Sequence, residues 1–197
     1  NEEWITIMEI LVLIKQVPDD SVEIKLDPAT GAPNLNGVEA VVNAFDTYAL
    51  EMAKRYIEDN GGNVTVATIG DDDATAALRT CLAVGAGKAF LIKDASFAGS
   101  DTTAKAYILS KAVAKIEEIN GAKFDIVFCG KEATDFSKGM VGVQLASELG
   151  VGVATDVIAV DPAESGVTVK QETNYPSEDT KLTVSAIEGK TPSSFNM

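Results

Sequence analysis

The densest group of polar side chains that could bind a ligand lies in a glycine-bracketed loop at residues 130–142. It reads GKEATDFSKGMVG, follows the apolar run FDIVFCG and precedes the helix-like pattern VGVQLASELG. A loop that joins a strand to a helix can offer the backbone N–H groups of the helix start to a phosphate. Lys131 or Lys138 can neutralise that anion, and the Thr, Asp and Ser side chains of the loop can bond a sugar or base. We therefore expect a phosphorylated ligand here.

Other sequence features that could suggest a phosphate-binding P-loop, a catalytic residue or a metal site do not have the residues or the arrangement that these sites need. The segment AVGAGKA at residues 83–89 resembles a P-loop, but Leu82 stands where the first glycine is needed and Ala89 replaces Ser or Thr. The sequence contains no histidine, and no nucleophile has an evident base, so we expect no catalytic residue. The acidic run at residues 71–73 suits a helix start better than a metal site, and no metal is expected.

The elements that must position the loop are visible as an alternation of strand and helix patterns. Four segments with mostly apolar residues are typical of strands buried on both faces. They occupy residues 10–14, 63–70, 88–94 and 124–130. Amphipathic helical patterns lie between them, the first with Asp46 as its expected N-cap. This order predicts an α/β fold with a doubly wound, mainly parallel sheet, in which ligands bind beyond the carboxyl ends of the strands.

Composition restricts the class of protein. The 197 residues are 46% hydrophobic and carry a net charge of −14, which argues for a globular protein and against nucleic acid or an anionic membrane as partner. The apolar run near the amino terminus is too short to span a membrane. Cys81 and Cys129 lie in apolar surroundings, as reduced thiols of a cytoplasmic protein do.

Four segments, in order along the chain, resemble the small (beta) subunit of electron-transfer flavoproteins. They read ILVLIKQVPDDSVEIKLDPATG, GVEAVVNAFDTYALEMA, LRTCLAVGAGKAFLIKDASFAGSDT and FDIVFCGKEATDFSKGMVG, within residues 9–159. The resemblance implies a Rossmann-like, adenine-nucleotide-binding fold. It also implies an adenine nucleotide in this subunit: AMP in ordinary members, and a second FAD in the electron-bifurcating branch. The large (alpha) subunit would carry the FAD that exchanges electrons with dehydrogenases.

The resemblance also implies the positions of the nucleotide contacts. They fall at two strand ends, on the NAFD segment and along the loop at residues 130–142. Carried over by position, the cofactor-binding residues are Leu13, Asn43, Ala44, Phe45, Asp46, Ile69, Gly70, Gly130, Lys131, Glu132, Ala133, Thr134, Asp135, Ser137, Lys138, Gly139, Met140, Val141 and Gly142.

Departures from the family pattern bear on the identity of the ligand. Glu132 and Met140 replace glutamines, and Phe136 and Ser137 stand where the family often has glycine or an acid. Phe136, Ser137 and Met140 count against FAD, because AMP needs fewer contacts and tolerates the loss of the usual acid and glutamine. The stretches KQVPDD, DPATG and SFAGSDT are similar to the forms KQVPDT, DPKTG and AFAGADT of the bifurcating branch. On balance the resemblance implies FAD in this subunit, with AMP as the alternative.

The expected function is that of the small subunit of a heterodimeric electron-transfer flavoprotein in a bacterial or archaeal cytoplasm. Its expected partners are the alpha subunit and flavin dehydrogenases such as acyl-CoA dehydrogenase, and NADH-linked bifurcation would occur only within such a complex. Residues 8–160 would form the nucleotide-binding domain and residues 161–197 a C-terminal hairpin or arm on the partner subunit. A stand-alone adenine-nucleotide sensor, similar to stress proteins, is the alternative.

Overall fold

A computed structural model describes residues 7–163, 166–172, 180–184 and 193–196. Within these residues the four α-helices are α1 (Ala44–Asn60), α2 (Thr75–Val84), α3 (Thr102–Asn120) and α4 (Val141–Leu149). The strands are β1 (Glu9–Leu13), β2 (Gln16–Pro18), β3 (Ala40–Val42), β4 (Asn63–Ile69), β5 (Lys88–Ile92), β6 (Ile126–Cys129), β7 (Val153–Ala154), β8 (Val157–Pro162), β9 (Val167–Gln171), β10 (Thr180–Val184) and β11 (Ser193–Asn196). None of the helices described is long and apolar enough to cross a membrane.

The main sheet has six strands in the order β5-β4-β1-β6-β11-β7, and each neighbouring pair is parallel. From β1 the chain moves outward through β4 to β5, then crosses back to β6 on the other side of β1. The order therefore reverses between β1 and β6, which is where such sheets bind ligands. The predicted doubly wound, mainly parallel α/β fold is confirmed.

Each face of the sheet is covered by helices. Ile10 and Val12 of β1 pack with α1 and α2 on one face. Leu11 and Leu13 pack with α3 and α4 on the other. Because neighbouring side chains of a strand point to opposite faces, burial of both faces favours apolar residues at every position of the strand. This explains why the strand segments of the sequence are mostly apolar.

The start of α1 differs from the expectation that Asp46 is its N-cap. The N-cap is Asn43, and Asp46 lies inside the first turn. Its carboxylate accepts hydrogen bonds from backbone N–H groups of two other segments, so it does not cap its own helix. The helix predicted directly after the loop at residues 130–142 is confirmed, since α4 begins at Val141.

Outside the main sheet lie two smaller antiparallel sheets. β2 pairs with β3, and β8, β9 and β10 form a three-stranded sheet that contains the predicted C-terminal hairpin. Val167 and Val169 of β9 are buried in the same apolar cluster as Ile10 and Val12. β11 inserts between β6 and β7 of the main sheet, and the sequence pattern SSFN did not predict it as a strand.

Candidate functional site

A cleft of about 190 Å³ opens at the carboxyl ends of β1 and β6, at the reversal of strand order. Most of the residues predicted to bind the nucleotide line it. They are Leu13, Asn43, Asp46, Ile69, Gly130, Lys131, Glu132, Ala133, Lys138, Gly139, Met140, Val141 and Gly142. The fold thus brings together segments that lie more than 80 residues apart in sequence, such as Asn43 and Glu132.

Six predicted residues do not line this cleft. They are Ala44, Phe45, Gly70, Thr134, Asp135 and Ser137. Sequence reasoning in turn missed seven residues that do line it: Ile14, Lys15, Thr102, Lys105, Leu109, Cys129 and Phe136. Three of these, on α3, have the three- and four-residue spacing of one helix face, and this signal was present in the sequence.

Asp46 joins the ends of the two central strands. Its Oδ2 accepts a hydrogen bond from the backbone N–H of Lys15, just after β1, at 2.7 Å. Its Oδ1 accepts one from the backbone N–H of Gly130, just after β6, at 3.1 Å. Both donors lie where a strand ladder has ended, so they need another acceptor. The carboxylate therefore fixes the floor of the cleft.

Burial raises the pKa of Asp46 to about 7. The hydrogen bonds from Lys15, Asn43 and Gly130, and the positive charge of Lys15, oppose this rise because they favour the ionised form. A side chain with this pKa changes its protonation near neutral pH. The floor of the cleft thus contains one group that responds to physiological pH.

The charge of Asp46 acts on both cysteines. Burial raises the pKa of Cys129 to about 12 and that of Cys81 to about 11, and the charge of Asp46 adds to both rises. Both thiols are buried and free of disulfide bonds. A thiol with so high a pKa stays protonated and is a weak nucleophile. Cys129 therefore contributes an apolar wall to the cleft.

Asn43 fastens the loop at residues 130–142 to the start of α1. Its Nδ2 donates to the carbonyl oxygen of Glu132 at 2.8 Å, and its Oδ1 accepts from the N–H of Thr134 at 3.0 Å. Its own backbone N–H donates to the carbonyl oxygen of Lys15 at 2.9 Å. Since the residue is 1% exposed, these bonds form without competition from water.

Two ion pairs hold the same loop at its edges. Lys15 Nζ contacts both carboxylate oxygens of Asp135, at 2.6 and 2.7 Å. Lys131 Nζ lies 2.7 Å from Oδ1 of Asp156, which raises the pKa of Lys131. Lys131, one of the two expected phosphate partners, is therefore already paired with a carboxylate.

Gly130 and Gly139 allow the loop to take its path. A Cβ on Gly130 would collide with Asp46 Oδ1 and lie 2.8 Å from the backbone nitrogen of Asp46. Gly139 has a φ of 60°, in the left-handed region that glycine adopts without strain. Close contact between the loop and α1 thus depends on the missing side chain of Gly130.

The start of α4 provides a place for an anion. Its N-cap, Met140, makes no side-chain capping bond, and Met140, Val141 and Gly142 all line the cleft. Uncapped N–H groups at a helix start attract phosphate through both hydrogen bonds and the helix dipole. Leu13, Ile69 and Leu109 add apolar wall. This combination fits the phosphate and base of an adenine nucleotide.

Comparison with known proteins decides the family. The electron transfer flavoprotein domain model matches residues 34–176. This chain belongs to the electron transfer flavoprotein family. It is similar to the electron transfer flavoprotein subunit beta of Thermoanaerobacterium thermosaccharolyticum, with 46% identity over 154 residues, covering 78% of this chain and 56% of that protein.

Two further relatives of the flavoprotein family extend the comparison. Protein FixA of Azotobacter vinelandii is 41% identical over 167 residues, which cover 83% of this chain and 58% of that protein. The caffeyl-CoA reductase-Etf complex subunit CarD of Acetobacterium woodii is 37% identical over 171 residues, which cover 85% of this chain and 63% of that protein. The resemblance to the beta subunit is confirmed. The match spans about 56–63% of the length of these three relatives.

Proposed function

We propose that this chain acts as the small (beta) subunit of a heterodimeric electron-transfer flavoprotein and holds FAD in the cleft between β1 and β6, with AMP as the alternative ligand. The observation that carries this proposal is the position of the cleft. It lies at the reversal of strand order and is built largely from the residues that the family resemblance assigned to the nucleotide.

The residues of the chain would bind and orient the nucleotide. The start of α4 would hold a phosphate, and Leu13 and Ile69 would pack against the base. Asn43 and Asp46 would keep the loop and the strand ends in place. FAD, when bound, supplies the redox chemistry, which no side chain of this site performs.

Two features favour FAD over AMP. The KQVPDD, DPATG and SFAGSDT stretches are similar to the bifurcating branch. In addition, Phe136 is 70% exposed and Met140 is 49% exposed, and both line the cleft. An exposed aromatic ring can stack on a flavin, whereas AMP, which is smaller, would leave more of this surface uncovered.

Two other points support AMP as the alternative ligand. AMP would need fewer contacts with the loop, and it would suit the modest volume of the cleft.

The partners follow from the same proposal. The alpha subunit would carry a further FAD and exchange electrons with a flavin dehydrogenase such as acyl-CoA dehydrogenase, in the cytoplasm. The name of one relative, a subunit of a caffeyl-CoA reductase-Etf complex, supports assembly with a reductase. With FAD in both subunits, the complex would be a candidate for NADH-linked electron bifurcation. Residues 161–197 would pack on the alpha subunit.

Counting nucleotides in the purified complex tests the proposal. The chain would be co-expressed with an alpha subunit, and flavin would be measured by its visible absorption and AMP by chromatography after denaturation. Two FAD per heterodimer support the proposed function. One FAD with one AMP would leave the subunit assignment intact and replace FAD by AMP here. A colourless homodimer of this chain that ignores the alpha subunit would contradict the proposal.

A further inference from the structure

The lysines around the cleft differ in whether their charge is already compensated. Lys15 and Lys131 form ion pairs with aspartates, at 2.6 and 2.7 Å. Lys138 Nζ lies 5.6 Å from the centre of the Phe136 ring. Lys105, on α3, also lines the cleft, and within the part of the chain that the structure describes its ammonium has no carboxylate, carbonyl or aromatic ring as partner.

The helix itself does not explain a lysine at this position. Lys105 is the fourth residue of α3, four positions after the N-cap Asp101, and a cation so near the helix start opposes the helix dipole. Other lysines of α3 have partners on the same helix: Lys111 lies over the Tyr107 ring, and Lys115 bonds to Glu118. No partner on α3 explains Lys105, so we look to the cleft that it lines for a binding partner of its ammonium.

Two helix starts reach the cleft beside Lys105. Thr102, the first residue of α3, lines it, and so do Met140 and Gly142 at the start of α4. A hydrogen bond of 3.1 Å from Gln144 Nε2 to Thr103 Oγ1 ties the two helices together near these ends. Since the carboxylate of Asp101 caps the start of α3, the uncapped start of α4 and the ammonium of Lys105, which has no ion-pair partner among the described residues, are the positive features of this cleft, in a chain whose net charge is −14.

We propose that Lys105 binds a phosphate group of the nucleotide and makes the cleft select nucleotides over nucleosides. This rests on the proposed function, because it assumes that the cleft holds an adenine nucleotide. The apolar wall would accept the base of adenosine and of AMP equally well. The phosphate would receive hydrogen bonds from the start of α4 and a charge-assisted bond from Lys105, which an amide side chain cannot supply.

Binding of AMP and of adenosine to the full chain separates this role from a structural one. Dissociation constants would be measured by calorimetry for the wild type, Lys105→Gln, Lys105→Arg and the matched control Lys111→Gln on the same helix. We expect Lys105→Gln to weaken AMP binding by at least about tenfold, since a hydrogen bond to a charged group is lost, and to leave adenosine binding unchanged. Lys105→Arg should retain most AMP affinity, and Lys111→Gln should change neither constant.

The possible results distinguish the inference from the proposed function beneath it. Unchanged AMP affinity in Lys105→Gln, or an equal loss for AMP and adenosine, would overturn the role of Lys105 and leave the proposed function standing. A folded wild-type chain that binds none of AMP, adenosine and FAD, alone or with the alpha subunit, would overturn the proposed function and this inference with it.

Discussion

At the residue scale, the site depends on a carboxylate that is buried for a geometric reason. Asp46 bridges the N–H groups of Lys15 and Gly130, which follow the two central strands. Water cannot serve these donors at a position that is 6% exposed, so an acceptor from the protein is needed. Burial removes the carboxylate from water, which disfavours its charged form and so raises the pKa of Asp46.

Protonation of Asp46 should therefore be visible in the pH dependence of stability. Its pKa is about 7 in the folded chain and close to the ordinary aspartate value of 3.8 when unfolded. Because the folded state binds this proton more tightly, the contribution to stability is fully present below the unfolded pKa and is lost as pH rises through 7. Between about pH 5.5 and about pH 8 we expect the free energy of unfolding to fall by about 2 kcal/mol from this group.

Urea unfolding of wild type and Asp46→Asn across that range measures this effect. The neutral asparagine cannot titrate, so the difference between the two proteins isolates Asp46 from the other acids of the chain. The stability of the wild type relative to the variant should decrease as pH rises. A constant difference would show that Asp46 is already ionised in the folded chain throughout this range.

Gly130 gives a second prediction at this scale. A methyl group at this position would meet the backbone of Phe45 and Asp46 at 2.8–2.9 Å, and backbone at a helix start cannot yield as a flexible side chain does. We expect Gly130→Ala to lower the free energy of unfolding by about 2 kcal/mol or more. Gly152→Ala is the matched control, because a Cβ there has no neighbour within 4 Å. Equal melting temperatures of the two variants would contradict the close contact.

At the scale of elements, the sequence pattern predicted the helices and strands whose positions follow from which of their faces are buried. We could predict β1, β4, β5 and β6 from their mostly apolar segments and the four helices from their periodicity. A strand buried on both faces needs mostly apolar residues, and a helix buried on one side needs apolar residues at helical spacing. The pattern also indicated the loop at residues 130–142, whereas only the family resemblance added Leu13, Asn43, Asp46 and Ile69 to the cleft. Strand β11 was missed because its four residues, SSFN, take their place through pairing with β6 and β7.

The other errors at the site share one cause. Asp46 was expected to cap α1, and Lys105 was not expected in the cleft. The segments that meet at the cleft lie far apart in sequence: Gly130, for example, follows Asp46 by 84 residues. Local propensity favours Asp at a helix start but does not tell whether its carboxylate turns toward its own helix or toward a neighbouring strand. Only the packing of α1 against the strand ends decides this.

The link between α1 and the loop at residues 130–142 can be tested through Asn43. Asn43→Ala removes both bonds to the loop and leaves the Glu132 carbonyl and the Thr134 N–H without a partner. We expect a loss of about 2 kcal/mol in stability. Hydrogen exchange in peptides from the loop should also become faster, because the loop can open without global unfolding.

Asn60→Ala serves as the control for Asn43→Ala. Asn60 bonds only to the Tyr56 carbonyl of its own helix among its described contacts, at 2.9 Å, and lies at the exposed end of α1. In Asn60→Ala, hydrogen exchange in peptides from the loop at residues 130–142 should be as fast as in the wild type. If Asn43→Ala instead raised exchange evenly across the sheet, Asn43 would be a general stabilising residue and not a clamp on the loop.

At the scale of the whole molecule, the main sheet is completed from both halves of the chain. β11 lies next to β6 in the main sheet, and β9 places Val167 and Val169 in the apolar cluster that also contains Ile10 and Val12. The strands after residue 160 therefore contribute to the same core as the nucleotide-binding strands. A core shared in this way predicts that the two parts unfold together.

Val169→Ala tests this cooperativity, because Val169 is fully buried and belongs to β9. Loss of its two methyl groups should lower the free energy of unfolding by about 2 kcal/mol, from lost burial and the cavity left behind. Val143→Ala, at an exposed position of α4, should change it by no more than about 0.5 kcal/mol. The decisive measurement is calorimetry: Val169→Ala should lower the temperature of one single transition. Two transitions, with the later one unmoved, would show instead that the nucleotide-binding strands are stable without β9.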